Sequence, residues 1–440
     1  MDDKTKRSGL MLDGSLNRRD FLVGTSLATA SLLVSANLKS GLAADGPLKI
    51  GCLGPFTGPA ARTGDAMKEG TMLAIEDARA ANEIPVTIDG QKRDVEIVWI
   101  DDQSSPEVAV KALNSAINRD GVQMIINGWH SSVALAVMDA ELPYNIVNLG
   151  SLAASQSIAD KILAEPEKYR GYFKGWPSAK AEAGIYAEPL QQFLDKGMWK
   201  PANKKAAVVA EDTDYGSSWG QSMVESLQRI GFEVVAFDKV ALEQTEFAPF
   251  VLKYQAAKVS AVGMTISASA GASNLVKQIR SQGLKALVLG HGLTWFNDWA
   301  ELTGQSSDYV LSMDSPIPIA PWQKDWMARF QEKYGHEANL TPSGLPYDYT
   351  RMAIQVLNQA GTLDFDTLSK TIKAASYKGI WNLYKFADGP GEKATAPNEI
   401  LTGSFMEGLF YPMVQLMNGQ KKVVYPFEYA EAEFVPPPGI

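Results

Sequence analysis

The strongest constraint in this chain is a rhythm that occurs twice: short apolar runs alternate with longer segments of helical period. "LKIGCL" (48–53) precedes 64–80, where Met67, Thr71, Ala74, Ile75 and Ala78 fall on one helical face. "VEIVWI" (95–100) precedes a helix opened by Pro106, a residue suited to a first turn because the N–H it lacks has no partner there. "VQMIIN" (122–127) leads into a helix-like run at 132–140, and "NIVNL" (145–149) follows. The pattern restarts at "KAAVVAE" (205–211), followed by a helix from Tyr215 with Met223, Leu227 and Ile230 on one face. "EVVAF" (233–237), "AVGMTI" (261–266) and "ALVLG" (286–290) complete the second series. Strands separated by helices predict an α/β fold of right-handed βαβ units, with parallel sheets covered on both faces.

Between the two series lies "EPEKYRGYFKGWPSAKAE" (165–182), polar and punctuated by Gly and Pro, which reads as a crossing between lobes. Helices at 322–334 and 347–360 follow "DYVLSMD" (308–314), and the remaining tail reads as irregular loop with short antiparallel strands. The expected organisation is residues 47–172 and 309–378 in a first lobe, and 173–308 and 379–437 in a second. A cleft between two such lobes is a place for a small ligand.

Residues 1–44 carry Arg18-Arg19 ahead of an apolar stretch (21–38) and the small residues Gly41, Ala43 and Ala44. This is the layout of a cleaved export signal, twin-arginine-like in its Arg-Arg-x-Phe-Leu core, with cleavage expected after Ala43 or Ala44 into the periplasm. An ordinary secretory signal with a long basic region is the alternative. The net charge of −9 argues against nucleic acid and anionic membrane surfaces as partners. The single cysteine, Cys52, lies inside an apolar run and reads as a small buried hydrophobe. His130, His291 and His336 have no metal-ligand spacing, and there is no nucleophile elbow or phosphate loop in the mature part. The expectation is therefore a monomeric binding protein and not an enzyme, with no cofactor and no metal.

"KIGCLGPFTGPAARTGD", "VEIVWIDDQSSPEVAVKAL", "GVQMIINGWHSSVALAV", "DTDYGSSWGQSMVESLQRIGFEVV" and "TEFAPFVLKYQAAKVSAV" stand in an order that resembles the leucine/isoleucine/valine-type periplasmic solute-binding proteins of ABC transporters. The resemblance runs from about Leu48 to Gly361. It implies a type I periplasmic binding protein fold: two Rossmann-like lobes with parallel central sheets, joined by three crossings and closing on a solute. It also implies delivery of that small molecule to a membrane permease, with no chemistry performed. A ligand-sensing subunit of a signalling system is the alternative role for such a chain.

The resemblance places the site. A strand ends near Asn127 and a helix begins near Ser132, and ligands in open α/β sheets sit beyond the carboxyl ends of strands. Open N–H groups and the positive dipole end of the helix suit an anion, and Ser131 and Ser132 add hydroxyls beside Trp129 and His130. In the family a matching serine and a second loop, here Gly150-Ser151-Leu152-Ala153, grip a ligand carboxylate. The bland reading is that Ser132 is an N-cap. The family also implies Tyr215 facing the cleft and Thr63 shaping the side-chain pocket, whereas it gives Asp101-Asp102 a structural role. One departure stands out. Amino-acid binders of the family hold the ammonium with a carboxylate after the strand matching "ALVLG", where this chain has His291-Gly292-Leu293-Thr294-Trp295. Ser267 and Ser269 follow the preceding strand and carry no charge. Trp129, His130, Trp176 and Trp295 sit near loops expected to face the cleft, which suggests an aromatic or extended apolar acid. The other reading, held open, is that these tryptophans only pack and that Glu211, Asp212 or Asp214 meets an ammonium.

Overall fold

In the computed structural model, which describes residues 46–293 and 299–439, the first apolar run pairs along its length with the second. The export-signal segment (1–44) and Thr294–Trp295 lie outside the described residues. The account below concerns the unit Pro47–Ile440.

The chain begins with β1 (Leu48–Gly54), α1 (Ala61–Ala80), the short pair β2 (Val86–Ile88) and β3 (Gln91–Arg93), β4 (Val95–Asp101), α2 (Pro106–Asn118) and β5 (Met124–Asn127). Next come α3 (Ser131–Ala140), β6 (Asn148–Ser151), α4 (Gln156–Ala164) and β7 (Tyr172–Lys174). The sheet order is β4-β1-β5-β6-β7, and its pairings are parallel. The second series runs α5 (Ala179–Asp195), β8 (Lys205–Glu211), α6 (Asp214–Arg229), β9 (Glu233–Val240), α7 (Ala248–Ala257), β10 (Ala261–Thr265) and α8 (Ser269–Ser281). It continues with β11 (Leu287–His291), α9 (Trp299–Thr303) and β12 (Leu311–Met313). After these come α10 (Pro321–Tyr334), α11 (Leu340–Ala360), α12 (Phe365–Ala374), the pair β13 (Tyr377–Lys378) and β14 (Leu383–Tyr384), and the hairpin β15 (Met413–Met417) and β16 (Gln420–Tyr425). The second sheet has the order β16-β15-β12-β11-β10-β8-β9, parallel except for the two C-terminal strands.

The periodicity finds its cause in packing. Met67, Thr71, Ala74, Ile75 and Ala78 are all buried on one face of α1. That face lies against α11, which is buried along most of its length. Gly70 makes this contact backbone to backbone: a Cβ there would overlap the Ser343 carbonyl. Ser105 caps α2 by accepting from the Val108 N–H, with Pro106 as the first helical residue.

Several expected boundaries move. β12 pairs parallel with β11 and antiparallel with β15, so 311–313 belongs to the second sheet and not to the first lobe, where a boundary at 309 would put it. The crossing back follows Met313. The expected division at 378/379 also fails, because it would cut the β13–β14 pair. That hairpin is held on α11 by Asp348, which accepts from the Ile380 and Trp381 N–H groups and from the Tyr384 hydroxyl at 2.8–2.9 Å. The strand expected at 145–149 begins only at Asn148, because Asn145 takes a left-handed φ of 46° to close the turn after Pro143. The 165–182 segment hides β7, whose Lys174 is fully buried. α11 starts at Leu340, earlier than the expected 347, since Pro342 falls in its first turn and Pro346 is accommodated inside the helix.

Candidate functional site

The loops after β5 and β6 bring two helix starts together. His130 stands at the N-cap of α3, but its side chain makes no capping bond; Nε2 instead meets the Ser104 hydroxyl at 3.0 Å. Ser132 is thus not the cap. The opening N–H groups of α3 have no side-chain acceptor, which leaves a helix terminus suited to an anion. Ser131 is buried, and its Oγ accepts from the Ser155 N–H at 3.1 Å, locking the start of α3 to the start of α4. Ser132 is half-buried with a hydroxyl that has no partner among the described residues. Trp129 is half-buried beside them, and Ala153 is fully buried. Ser151 also serves the sheet edge and the crossing: its hydroxyl accepts from Tyr172 at 2.7 Å and its carbonyl from the Gly175 N–H. Thr63 lies half-buried in the first turn of α1.

The second lobe meets this edge directly. Ser155 Oγ lies 3.1 Å from Ser218 Oγ on α6, and the Gln156 N–H donates to the same Ser218 hydroxyl at 3.2 Å. The lobes are therefore in contact through the start of α4.

Behind that contact, the second lobe gathers aromatic side chains around the end of β11. His291 is buried, with Tyr186 hydrogen-bonded to its Nδ1. The rings of Trp176, Tyr186, Tyr215 and Trp219 stand 6.1–6.3 Å from its ring. Burial pushes His291 down to about 3 and His130 down to about 4, so both are neutral at physiological pH. Tyr215, in the first turn of α6, holds Thr265 Oγ1 at 2.9 Å. Ser267 donates backbone and side-chain bonds to Glu211, which also accepts from Thr213. Ser267 and Glu211 thus satisfy each other, while Asp212 and Asp214 are exposed. Asp101 and Asp102 hold turns: Asp101 accepts from Thr57 and Gln103, and Asp102 from the Ser104 N–H. No cluster of metal-binding side chains occurs among the described residues.

Sequence reasoning missed the charged group at the crossings. Lys174, Glu182, Asp314 and Glu399 are each at most 1% exposed. Trp176 carries its indole N–H to Glu182 Oε1 at 2.8 Å and packs edge-on to Tyr411 at 5.2 Å. Glu399 accepts from the Ser178 N–H, from the Thr395 N–H at 2.7 Å and hydroxyl at 3.0 Å, and from the Ala396 N–H at 3.2 Å. Burial pushes Glu182 up and Lys174 down; Trp176 and Lys174 counter the shift at Glu182, and Glu399 and Glu182 counter it at Lys174. The only signals in the sequence were the charges themselves: Lys174 and Glu182 in the stretch read as a crossing, Asp314 at the end of an apolar run and Glu399 in the tail read as irregular loop.

Residues 47–398 match a family model described as periplasmic binding protein. Leu/Ile/Val-binding protein homolog 3 of Brucella melitensis is 26% identical over 62% of this chain and 68% of its own length. Two solved structures share the fold. One is a solute binding protein of an ABC transporter from Rhodopseudomonas palustris, in complex with 3,4-dihydroxybenzoic acid; its TM-score is 0.69 at 19% identity, with 89% of this chain and 99% of the other covered. The other is a branched-chain amino acid transporter substrate binding protein from Streptococcus pneumoniae, in complex with isoleucine; its TM-score is 0.65 at 16% identity, with 85% and 97% covered.

Proposed function

Because the chain belongs to the periplasmic binding protein family, we propose that it is the exported, monomeric receptor of an ABC importer. It closes two lobes on a small carboxylate-bearing solute and hands it to a membrane permease without chemistry. Residues 1–44 direct export. The carboxylate is received at the α3 start by the open N–H groups and by Ser132, with Ser131 and Ala153 shaping that wall. Trp129, His130 and Thr63 line the first-lobe side, while Trp176, Tyr215 and His291 line the other.

One observation carries this reading: the lobe with an uncapped helix start and an uncommitted hydroxyl touches, through Ser155 and Ser218, the α6 helix whose Tyr215 belongs to the aromatic cluster. An apolar wall and a few convergent polar groups are the makeup of a small-molecule site. Neutral histidines offer hydrogen bonds without adding charge.

The test is calorimetric titration of leucine, phenylalanine, benzoate and 3,4-dihydroxybenzoate into wild type and Ser132→Ala. A hydrogen bond to a charged group contributes roughly 1.5–3 kcal/mol, so the variant should lose about ten- to a hundredfold in affinity for whichever class binds. Its folding stability should fall by much less, since Ser132 is not the cap. Undiminished affinity in Ser132→Ala would remove the anion site from α3.

A further inference from the structure

Helix α4 is capped from two directions. Ser155, its N-cap, accepts the Ser157 N–H at 3.2 Å with its own hydroxyl. The Gln156 N–H is another of the open donors at this helix start, and it donates to Ser218 Oγ at 3.2 Å. Ser218 is on α6, so a side chain of the second lobe completes the cap of a first-lobe helix. The hydroxyls of Ser155 and Ser218 also bond to each other at 3.1 Å. Ser155 is fully buried and Ser218 half-buried.

The first-lobe half of this contact is held in place without α6. The Ser155 N–H donates to Ser131 Oγ at 3.1 Å, which ties the α4 start to the α3 start. The Ala154 carbonyl accepts the Ala179 N–H at 3.1 Å. The Gln156 side chain accepts the Lys180 N–H at 3.2 Å and donates to Asp160 Oδ1 at 2.9 Å and to Thr395 Oγ1 at 3.3 Å. Thr395 in turn meets Ser178 Oγ at 2.6 Å and Glu399 Oε2 at 3.0 Å. The α4 start is therefore a fixed post, anchored to α3 on one side and to the crossing segments on the other. Ser218 differs: among the described residues its hydroxyl bonds only to that post. It stands one turn after Tyr215, so the face of α6 that carries part of the proposed solute wall carries this contact as well.

We propose that Ser218 is the latch of lobe closure. It holds α6 on the α4 start by completing that helix's cap, in bonds that need no solute to form, and so it scales the affinity for every solute without touching any. Opening the lobes returns the Gln156 N–H and both hydroxyls to water, which keeps the contact reversible. A neutral hydrogen bond shifts an equilibrium by about two- to tenfold, so the two bonds favour the closed form by roughly five- to a hundredfold. The apparent affinity follows the fraction of protein able to close. This goes beyond the carboxylate site at α3 and holds whatever the solute is.

The first arm of the experiment uses solute-free protein. Ser155→Cys combined with Ser218→Cys is oxidised, and alkylation after unfolding counts the thiols that remain. The 3.1 Å between the two hydroxyl oxygens brings the introduced pair within reach of a disulfide, so only the Cys52 thiol should be left. By X-ray scattering the oxidised protein should have a smaller radius of gyration than Ser218→Ala. All thiols remaining free would overturn the latch. So would a locked protein as expanded as Ser218→Ala, because the contact would then be a pivot present in open and closed forms alike. The second arm titrates leucine, phenylalanine, benzoate and 3,4-dihydroxybenzoate into wild type, Ser218→Ala and Ser218→Thr. Each probe that binds should weaken by the same factor in Ser218→Ala, roughly fivefold or more, with the change in its dissociation rate. Ser218→Thr keeps the hydroxyl and should stay within about threefold of wild type. Unchanged affinity in Ser218→Ala, or a loss confined to one probe, would overturn the latch, the latter by making Ser218 a contact of that solute. If none of the four probes binds, it is the carboxylate reading that fails, and the solute-free arm decides the latch alone.

Discussion

Replacing Glu399 with alanine should destabilise the protein by about 4 kcal/mol, the middle of the range for leaving a buried charge uncompensated. The structure shows why the cost is high. The carboxylate receives N–H groups from Ser178, Thr395 and Ala396 and the Thr395 hydroxyl, thereby tying the first crossing to the segment that returns through 395–400. Lys174 also bonds that segment through its backbone, donating to Asn398 and accepting from Ile400 at 2.9 Å. Without Glu399 the buried ammonium keeps only Glu182, and three N–H groups lose their acceptor. Glu399→Gln is the sharper variant, because its NH2 would face the Thr395 and Ala396 N–H groups. It should therefore be no better than alanine to within about 1 kcal/mol. Urea unfolding followed by tryptophan fluorescence reads this directly. With a slope near 3 kcal/mol per molar, the midpoint should fall by roughly 1 M. Pairing Glu399→Gln with Lys174→Met should recover part of the loss, as a double-mutant cycle requires of coupled neighbours. A Glu399→Gln midpoint within about 0.2 M of wild type would refute the claim that this carboxylate holds the crossings.

Two further outcomes follow from the packing and the charges. Gly70→Ala should cost about 3 kcal/mol, the upper end for overpacking, because its Cβ meets the Ser343 backbone and not a side chain that can swing away; denaturant midpoints check this. His291, held neutral with a folded value of about 3 against 6.5 for the free side chain, contributes stability that is complete above about pH 6.5 and is lost as pH falls toward 3. By pH 4.5 that loss is about 2–3 kcal/mol, so His291→Gln should lose correspondingly less stability between pH 7 and 4.5; an unchanged acid sensitivity would contradict the assignment.

The fold was legible where a side chain's fate depends on near neighbours in sequence. The face of α1 from Met67 to Ala78 and the apolar run of β1 announce themselves by spacing, because burial of one face sets the period. The site was legible only as far as its loops: His130, Ser131 and Ser132 do open α3 at a strand end. What each polar group does there is decided by distant partners. Ser131 is bonded to Ser155, Ser151 to Tyr172, and Ser267 to Glu211. Glu182 escaped for the same reason. An acid in a first helical turn looks like an ordinary favourable charge near a dipole, and nothing local reveals that Trp176 and Tyr411 bury it.

The contact of Gly70 with Ser343 has a consequence in time. The two residues are far apart in the chain, and at about 5–20 residues per second a ribosome needs roughly 14–55 seconds to bring the second out after the first. Through that interval the apolar face of α1 has no α11 to cover it, while the whole of the second series of strands is being made. A nascent chain of this design carries an unfinished first lobe for most of its synthesis. Its yield in the cell is then set by what shields that face, and a slower ribosome lengthens the exposure in direct proportion.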